Sequence, residues 1–430
     1  MTDTSWIGAV MTAARPKAMA ALVRYFRDLD TAEEAYQEAC LRALKSWPSN
    51  GPPRDAAAWL IMVARNAGID SARRQRRMQP LPPEDVISDR SDMEAVAAER
   101  ADGADYRDDI LRLMFICCHR ELPATQQIAL ALRIVSGLSV HQIARAFMVS
   151  DAAMEQRITR AKARIAKAEV PFETPSAVER AERVAAVAAM IYLVFNEGYT
   201  IDVAANGWRA ELCEEAIRLA RLLLNLFPVE PELMGLAALL LLQHARADAR
   251  FDADGAAIPL DQQDRSRWNS KLIAEGLALM DKALRHRRPG PFQLQAAIAA
   301  LHARAGRPED TDWPQIALLY GALERMQPSP VIALNRAVAV SRTDGAEAAL
   351  AIITPLAGAL DGYFYFHGAR GSFLKQLGRY HEAREAYNRA IALANTPAEA
   401  RHIRQQLDSL TEAAAAPSSQ QAARENDQRR

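Results

Sequence analysis

The sequence predicts an all-α protein built from two small helical modules followed by a longer helical array. Three observations point there. Half of the residues are hydrophobic but only 6% are aromatic, and Ala and Leu dominate the apolar share, which favours helix over strand. Apolar positions recur every three or four residues along most of the chain, and β-branched runs are scarce. Breaker clusters at Pro48–Pro53 and Pro171–Pro175 divide the 430 residues into pieces of domain size.

Residues 1 to about 47 fit a pair of amphipathic helices. The second runs from Thr31 to Trp47, with Thr31 and Glu34 at capping-box spacing behind Asp30. Its expected inner face is Ala35, Cys40, Leu41 and Leu44, which leaves Glu33, Glu34, Gln37, Glu38 and Arg42 outside. Pro48 to Pro53 predicts a loop. A third helix, from near Asp55 to Arg77, carries Leu60, Val63, Ile69 and Ala72 near one stripe. Its C-terminal half holds Arg65, Arg73, Arg74, Arg76 and Arg77 against one acid, Asp70. Positive charge suits a helix C-terminus, but four arginines within five residues exceed what capping needs. A track for nucleic-acid phosphates accounts for them better.

Gln79 to Asp109 contains ten acids and three arginines. That composition predicts a flexible acidic linker between two basic modules. Apolar helices over Tyr106–Arg120 and Pro123–Val135 follow, with Pro123 placed where a helix start needs no N–H. Leu138 to Lys167 then reads as two helices with a tight break. Ser139 caps the first, whose buried face is Ile143, Ala144 and Phe147; Ser150 or Asp151 caps the second, where Met154, Ile158, Ala161 and Ile165 recur at helical spacing. Glu155, Gln156, Thr159, Arg160, Lys162 and Arg164 lie outward. A short helix, a tight turn and a polar, net-basic second helix form a helix-turn-helix, whose second helix can enter the DNA major groove.

Beyond Pro175 the chain is a succession of Ala/Leu-rich helices. Gly378, Ala383, Tyr387 and Ala390, with Pro397 just beyond, give the small–large–small pattern of the second helix of a tetratricopeptide repeat. Gly345, Ala348, Ala349 and Ile352 give a weaker copy. Phe251 to Trp268 is a long charged insertion, expected to be an ordered surface loop. The expected domains are residues 10–78, an acidic linker at 79–106, a helix-turn-helix module at 107–170, a TPR-like array at 175–410 and a disordered tail at 411–430.

Formal net charge is zero, from 53 basic and 53 acidic residues, so any anion-binding surface must come from local concentration of the cations. Cys40, Cys117, Cys118 and Cys213 form no CxxC pair and no zinc spacing. No nucleotide loop or triad arrangement appears, so neither a catalytic site nor a metal or other cofactor is expected. Without a signal-peptide core or a run of ~20 apolar residues, the expectation is a cytoplasmic, reduced protein.

Taken together, the first 170 residues resemble an extracytoplasmic-function (ECF) RNA polymerase sigma factor. Thr31 to Leu44 is similar to sigma region 2.2. Trp59-Leu, Ala64-Arg-Asn66, Ile69-Asp70 and Arg73-Arg74 are similar to regions 2.3 and 2.4, and Leu138 to Ile165 to region 4.2. Tyr192–Tyr199, Asp261–Trp268, Pro289–Ile298 and Pro328–Ala337 resemble the subgroup with a long C-terminal tetratricopeptide extension. His119-Arg120 departs from an expected His-Pro.

The resemblance implies that Glu34, Gln37, Glu38 and Arg42 meet the clamp of the β′ subunit of core RNA polymerase, while region 4 meets the flap of the β subunit. It implies that Ser49, Asn50 and Gly51 hold a melted base of the minus-ten element. Trp59 stands beside them, more as a packing residue, and Arg65, Asn66, Arg73, Arg74, Arg76 and Arg77 hold phosphates and the opened strand. Asp151, Ala152, Glu155, Gln156 and Thr159 have the reach for base edges of the minus-thirty-five element, and Arg157, Arg160 and Lys162 suit phosphate or guanine. The C-terminal array would regulate the factor in cis, by packing on the sigma modules or by receiving a peptide, with 361–370 as the candidate contact. The competing reading is a helix-turn-helix regulator with a sensing domain that needs no polymerase; it leaves the helices of residues 15–77 without a purpose.

Overall fold

The computed structural model describes residues 5–51, 53–77, 103–147, 149–168, 177–199, 208–252, 258–394 and 399–410. For 5, 50, 70–77, 103–108, 177–179, 208 and 209 it describes the backbone alone. The described residues are helical nearly throughout, as the composition predicts. They separate into two compact units, residues 1–198 with 208–219, and residues 199–207 with 220–430. The expected acidic linker falls mostly outside the described residues, and the expected tail at 411–430 falls wholly outside them.

In the first unit, α1 (Ser5–Phe26) and α2 (Leu29–Asn50) form a hairpin closed by α3 (Ala56–Arg77). The α2 cap is Asp28, which accepts from the Thr31 amide at 2.7 Å; it lies three residues earlier than the expected capping box. Asp55 caps α3 by accepting from the Ala58 amide at 3.0 Å. The buried face of α2 is Ala32, Glu33, Ala35, Tyr36, Ala39, Ala43 and Trp47, whereas Leu41 and Leu44 are more than half exposed. The expected inner face is therefore corrected by rotation about the helix axis. Small residues let α1 and α3 approach closely, and two large residues, Tyr36 and Trp47, fill the remaining space.

Two further expectations are corrected here. Pro48, Ser49 and Asn50 are not a loop but the last turn of α2, which Gly51 ends at φ 72° with its N–H on the Trp47 carbonyl. Proline near a helix C-terminus removes only one late hydrogen bond, so breaker composition alone did not place the end. On α3, Ala57, Leu60, Ala64 and Ala67 are fully buried, while Val63 and Ile69 are only half-buried.

The second half of this unit begins with α4 (Gly103–Cys117) and α5 (Ala124–Ala131), the latter widening into a π-helical turn over Leu132–Ser136. Gly137 at φ 79° stops that turn, and a side chain there would strike the Arg15 chain. Then come α6 (Val140–Ala146), with Ser139 and Gln142 in a complete capping box, and α7 (Asp151–Lys167), capped by Ser150. Met154, Ile158, Ala161 and Ile165 are the buried residues of α7, the set its spacing predicts. The helix α8 (Ala177–Tyr199) buries Val187, Ile191, Val194 and Phe195, and α9 (Trp208–Leu226) is shared between the units.

The second unit is an array of helix pairs. Its centre, α10 (Pro231–His244), is buried along almost its whole length against α11 (Ser270–Arg285) and α12 (Pro291–Arg304). Close approach rests on glycine: a Cβ on Gly235 would stand 2.7 Å from the Gln293 backbone nitrogen. Glu232 accepts from the amides of Phe292 (2.6 Å) and Gln293 (3.4 Å) at the start of α12. In the last pair, α13 (Phe364–Gln376) and α14 (Tyr380–Leu393), the buried face of α14 is Ala383, Ala386, Tyr387 and Ala390, and the Tyr387 ring lies against Gly371 of α13. Residues 258–268 of the insertion are ordered, with Arg265 donating to the His302 and Ala305 carbonyls.

Candidate nucleic-acid interface

On α2, Glu34, Gln37 and Arg42 are exposed and Glu38 is half-exposed, with Arg42 Nε 3.0 Å from Glu38 Oε1. Leu41 (54% exposed) and Leu44 (52%) fall on this same face. Two exposed leucines within a polar rim are a composition that protein-docking surfaces share. The leucines are the residues that periodicity missed, because it assigns large apolar side chains to the core by default.

At the end of α2, Ser49 is exposed and Gly51 is half-buried; the Asn50 side chain lies outside the description. Trp59 is half-buried and packs edge-on against Trp47 at 5.3 Å between centroids, while Trp47 stacks on Trp6 at 6.3 Å. Trp59 is thus engaged in packing just below the turn. On α3, Asn66 is exposed and Arg65 is half-buried, its guanidinium over the Tyr25 ring at 4.3 Å. Arg73, Arg74, Arg76 and Arg77 form the last turns of the helix backbone, with side chains outside the description.

The outward face of α7 carries Asp151, Ala152, Glu155, Gln156, Thr159 and Arg160, all exposed, with Arg157 half-buried at its edge. Asp151 meets His141 across the turn at 3.0 Å. Lys162 departs from this set. Its side chain is 15% exposed and turns to α2, where Nζ lies 2.5 Å from Asp30 Oδ1 and 2.9 Å from Glu33 Oε2. Burial pulls the ammonium pKa down, but hydrogen bonds to both carboxylates outweigh it and leave Lys162 above its ordinary value.

Glu33 is the second surprise. Placed outside by the sequence, it is 5% exposed and central to a charge network. Arg133 Nε lies 2.7 Å and Arg15 Nη2 3.9 Å from its Oε1. Arg15 in turn donates to the Ile134 and Arg133 carbonyls at 3.1 and 3.0 Å, in the π-helical turn. Buried Asp109 pairs with Arg24 at 3.0 Å and Arg112 at 3.6 Å. No single-helix pattern announces the bonds of Arg15 to the Ile134 carbonyl or of Lys162 to Glu33, whose partners lie 119 and 129 residues apart.

Cys117 and Cys118 are fully enclosed, and burial pushes the Cys118 thiol up to about 12. Their environment therefore suppresses the thiolate that reactivity or metal binding requires. Of the array stretch 361–370, Phe364, Phe366 and His367 are buried in the repeat core, while Tyr365 is exposed and hydrogen-bonded to Glu399.

Comparison with known proteins bears on these surfaces. A model described as Sigma-70 region 2 matches residues 10–78, and one described as Sigma-70, region 4 matches residues 112–165. The chain belongs to the sigma-70 family, in its extracytoplasmic-function class. As a sigma factor it serves transcription initiation, through interaction with core RNA polymerase and promoter DNA. Residues 183–284 match a family described as of unknown function, DUF6596. The sigma factor is 68% identical over 410 residues to "Uncharacterized protein R00370" of Rhizobium meliloti (strain 1021), covering 95% of this chain and 97% of that one. The crystal structure of the yeast Tom70 overlaps 96% of this chain and 86% of its own at 12% identity, with a TM-score of 0.38. None of the described helices of the sigma factor is long and apolar enough to cross a membrane.

Proposed function

We propose that the protein docks on the β′ clamp through the α2 face of Glu34, Gln37, Glu38, Arg42, Leu41 and Leu44. The observation that carries this is the pair of leucines held more than half exposed on an otherwise acidic helix. Each leucine is already about half buried, so completing its burial at an interface contributes about 1 kcal/mol, and the charges around them set orientation. Ser49, Asn50 and Gly51, with Arg65, Asn66, Arg73, Arg74, Arg76 and Arg77, then hold the opened minus-ten strand. Trp59 fixes the end of α2 from behind.

The outer face of α7 reads the minus-thirty-five element, with Asp151, Ala152, Glu155, Gln156 and Thr159 at base edges and Arg157 and Arg160 at phosphate or guanine. Region 4 rests on the β flap, and the C-terminal array regulates the factor in cis. Transcription by core enzyme with and without the protein, followed by sequencing of RNA 5′ ends, tests this reading. It expects a small set of start sites that share two upstream elements, and absence of any new start site overturns it. Deleting the chain after Pro175 tests the array: unchanged output under every condition removes its regulatory role.

A further inference from the structure

No residue of the charged insertion, Phe251 to Trp268, takes part in the function proposed above. Within the second unit its described part lies among the ends of α8, α10 and α12. The Ile258 amide donates to the Arg250 carbonyl at 2.8 Å, and just past Trp268 the Asn269 amide donates to the Ala245 carbonyl at 2.8 Å. These ties set the 3₁₀ turn Arg265–Arg267 against the 3₁₀ turn Ala247–Ala249. Arg265 thereby comes within electrostatic range of Arg246.

Two arginines here have an ordinary purpose. Arg250 Nη1 donates to the Tyr199 carbonyl at 3.0 Å, at the end of α8, and Arg265 Nη1 donates to the His302 and Ala305 carbonyls, at the end of α12. Cations suit helix C-termini. Capping does not account for Arg246. Its Nη2 donates to the Tyr199 hydroxyl and the Gln243 side-chain oxygen, both at 2.6 Å, and its Nε and Nη1 have no partner among the described residues. Arg265 Nε is enclosed and also unpartnered. Among the described residues no carboxylate lies within ion-pair distance of either guanidinium. Glu309 and Asp310 act on Arg265 from farther off, and Asp310 is held by Arg307 at 3.1 Å. His302 registers the uncompensated charge: burial, then Arg246 and Arg265, push its pKa down to about 4.

Two like charges resting on neutral oxygens, with donors to spare, lack an anion. Guanidinium groups match the oxygens of carboxylate and phosphate, and two of them balance two negative charges. We infer that Arg246 and Arg265, beside Tyr199 and His302, bind the dianionic group of a ligand, a phosphate monoester or a dicarboxylate, and that this ligand is the input through which the array regulates the factor. The second half rests on the regulatory role proposed above; the binding does not.

The test uses the full chain without polymerase. Sulfate and succinate are titrated by calorimetry at low salt, with chloride at matched ionic strength as control. Saturable one-site binding is expected, tighter for sulfate if the natural group is phosphate and tighter for succinate if it is carboxylate. Arg246→Gln should lose at least tenfold in affinity, and Arg246→Lys should fall between. No saturable binding of either ion, or equal binding by folded Arg246→Gln, overturns the site. A second readout leaves the arginines intact. At about pH 5 the His302 ring signal, identified by its loss in His302→Gln, should move toward the protonated position as sulfate is added, because a nearby anion favours imidazolium; a fixed signal at saturation overturns the site. Initiation with core enzyme is then measured with and without the tighter-binding ion. A change of at least threefold in the native chain, absent in Arg246→Gln, is expected, and equal output overturns the regulatory half. If the native chain initiates nowhere, the sigma reading falls, while calorimetry still decides the site.

Discussion

Helices α2 and α7 lie in one unit and spend their side chains in opposite ways. The buried residues of α7 are all apolar, Met154, Ile158, Ala161 and Ile165, and its exposed face is polar. On α2 the buried side takes in alanines, two aromatics and the carboxylate of Glu33, while Leu41 and Leu44 face solvent. An element that completes its own packing can afford a simple amphipathic pattern. One that leaves leucines exposed on one face and holds ions on its flank departs from that pattern, because both features place residues against the default partition between water and core.

The largest expected effect tests the buried side of α2. Glu33→Ala leaves Arg15 buried without its carboxylate and should cost about 3–5 kcal/mol, as breaking a buried ion pair does. Urea unfolding measures it, and a loss below about 1 kcal/mol would mean that the network contributes little. Next comes the ordinary core of α7. Ile158→Ala should cost about 2–5 kcal/mol through cavity formation, and circular dichroism should lose the cooperative transition of the whole unit rather than of one helix. A smaller total falls to the exposed face of α2. Leu41→Asp with Leu44→Asp should weaken binding to core enzyme by at least tenfold, about 1.4 kcal/mol. The thermal midpoint should stay within the range of ordinary surface changes, about 0.5 kcal/mol. Equal binding by the double variant would make these leucines idle.

The smallest effect concerns the start of α2. Asp28→Ala removes a cap worth about 1 kcal/mol. Burial raises the Asp28 carboxyl pKa, but hydrogen bonds from Thr31 outweigh it and leave the value below the ordinary one. Its contribution is therefore present above an unfolded value of about 3.9 and is lost as pH falls through the lower folded value. Native and variant stabilities measured from pH 6 to pH 2 should converge at the acid end; a gap that persists there would assign the effect to something other than the charge.

The same contrast explains what the sequence disclosed. Both caps of the helix-turn-helix, its four buried positions and the outward polar set follow from local period and capping chemistry. The burial of Ala383, Tyr387 and Ala390 in the array follows from a repeat pattern of the same kind. The rotation of α2 does not, because it depends on Arg15, Arg133 and Lys162, which arrive from other helices. Nor does the continuation of α2 through Pro48, where tertiary packing of Trp47 between Trp6 and Trp59 holds a turn that composition marks as broken. Of the residues expected to face DNA, the exposure of the outer α7 set was legible, and the seclusion of Lys162 was not.

The central claim is that α2 presents a polymerase-docking face which turns two DNA-binding modules into an initiation factor. Its most direct test is RNA 5′-end sequencing with core enzyme, the native chain and the Leu41→Asp, Leu44→Asp variant side by side. Discrete start sites are expected with the native chain and should vanish with the folded variant. Start sites that persist with the variant, or none with the native chain, would contradict it.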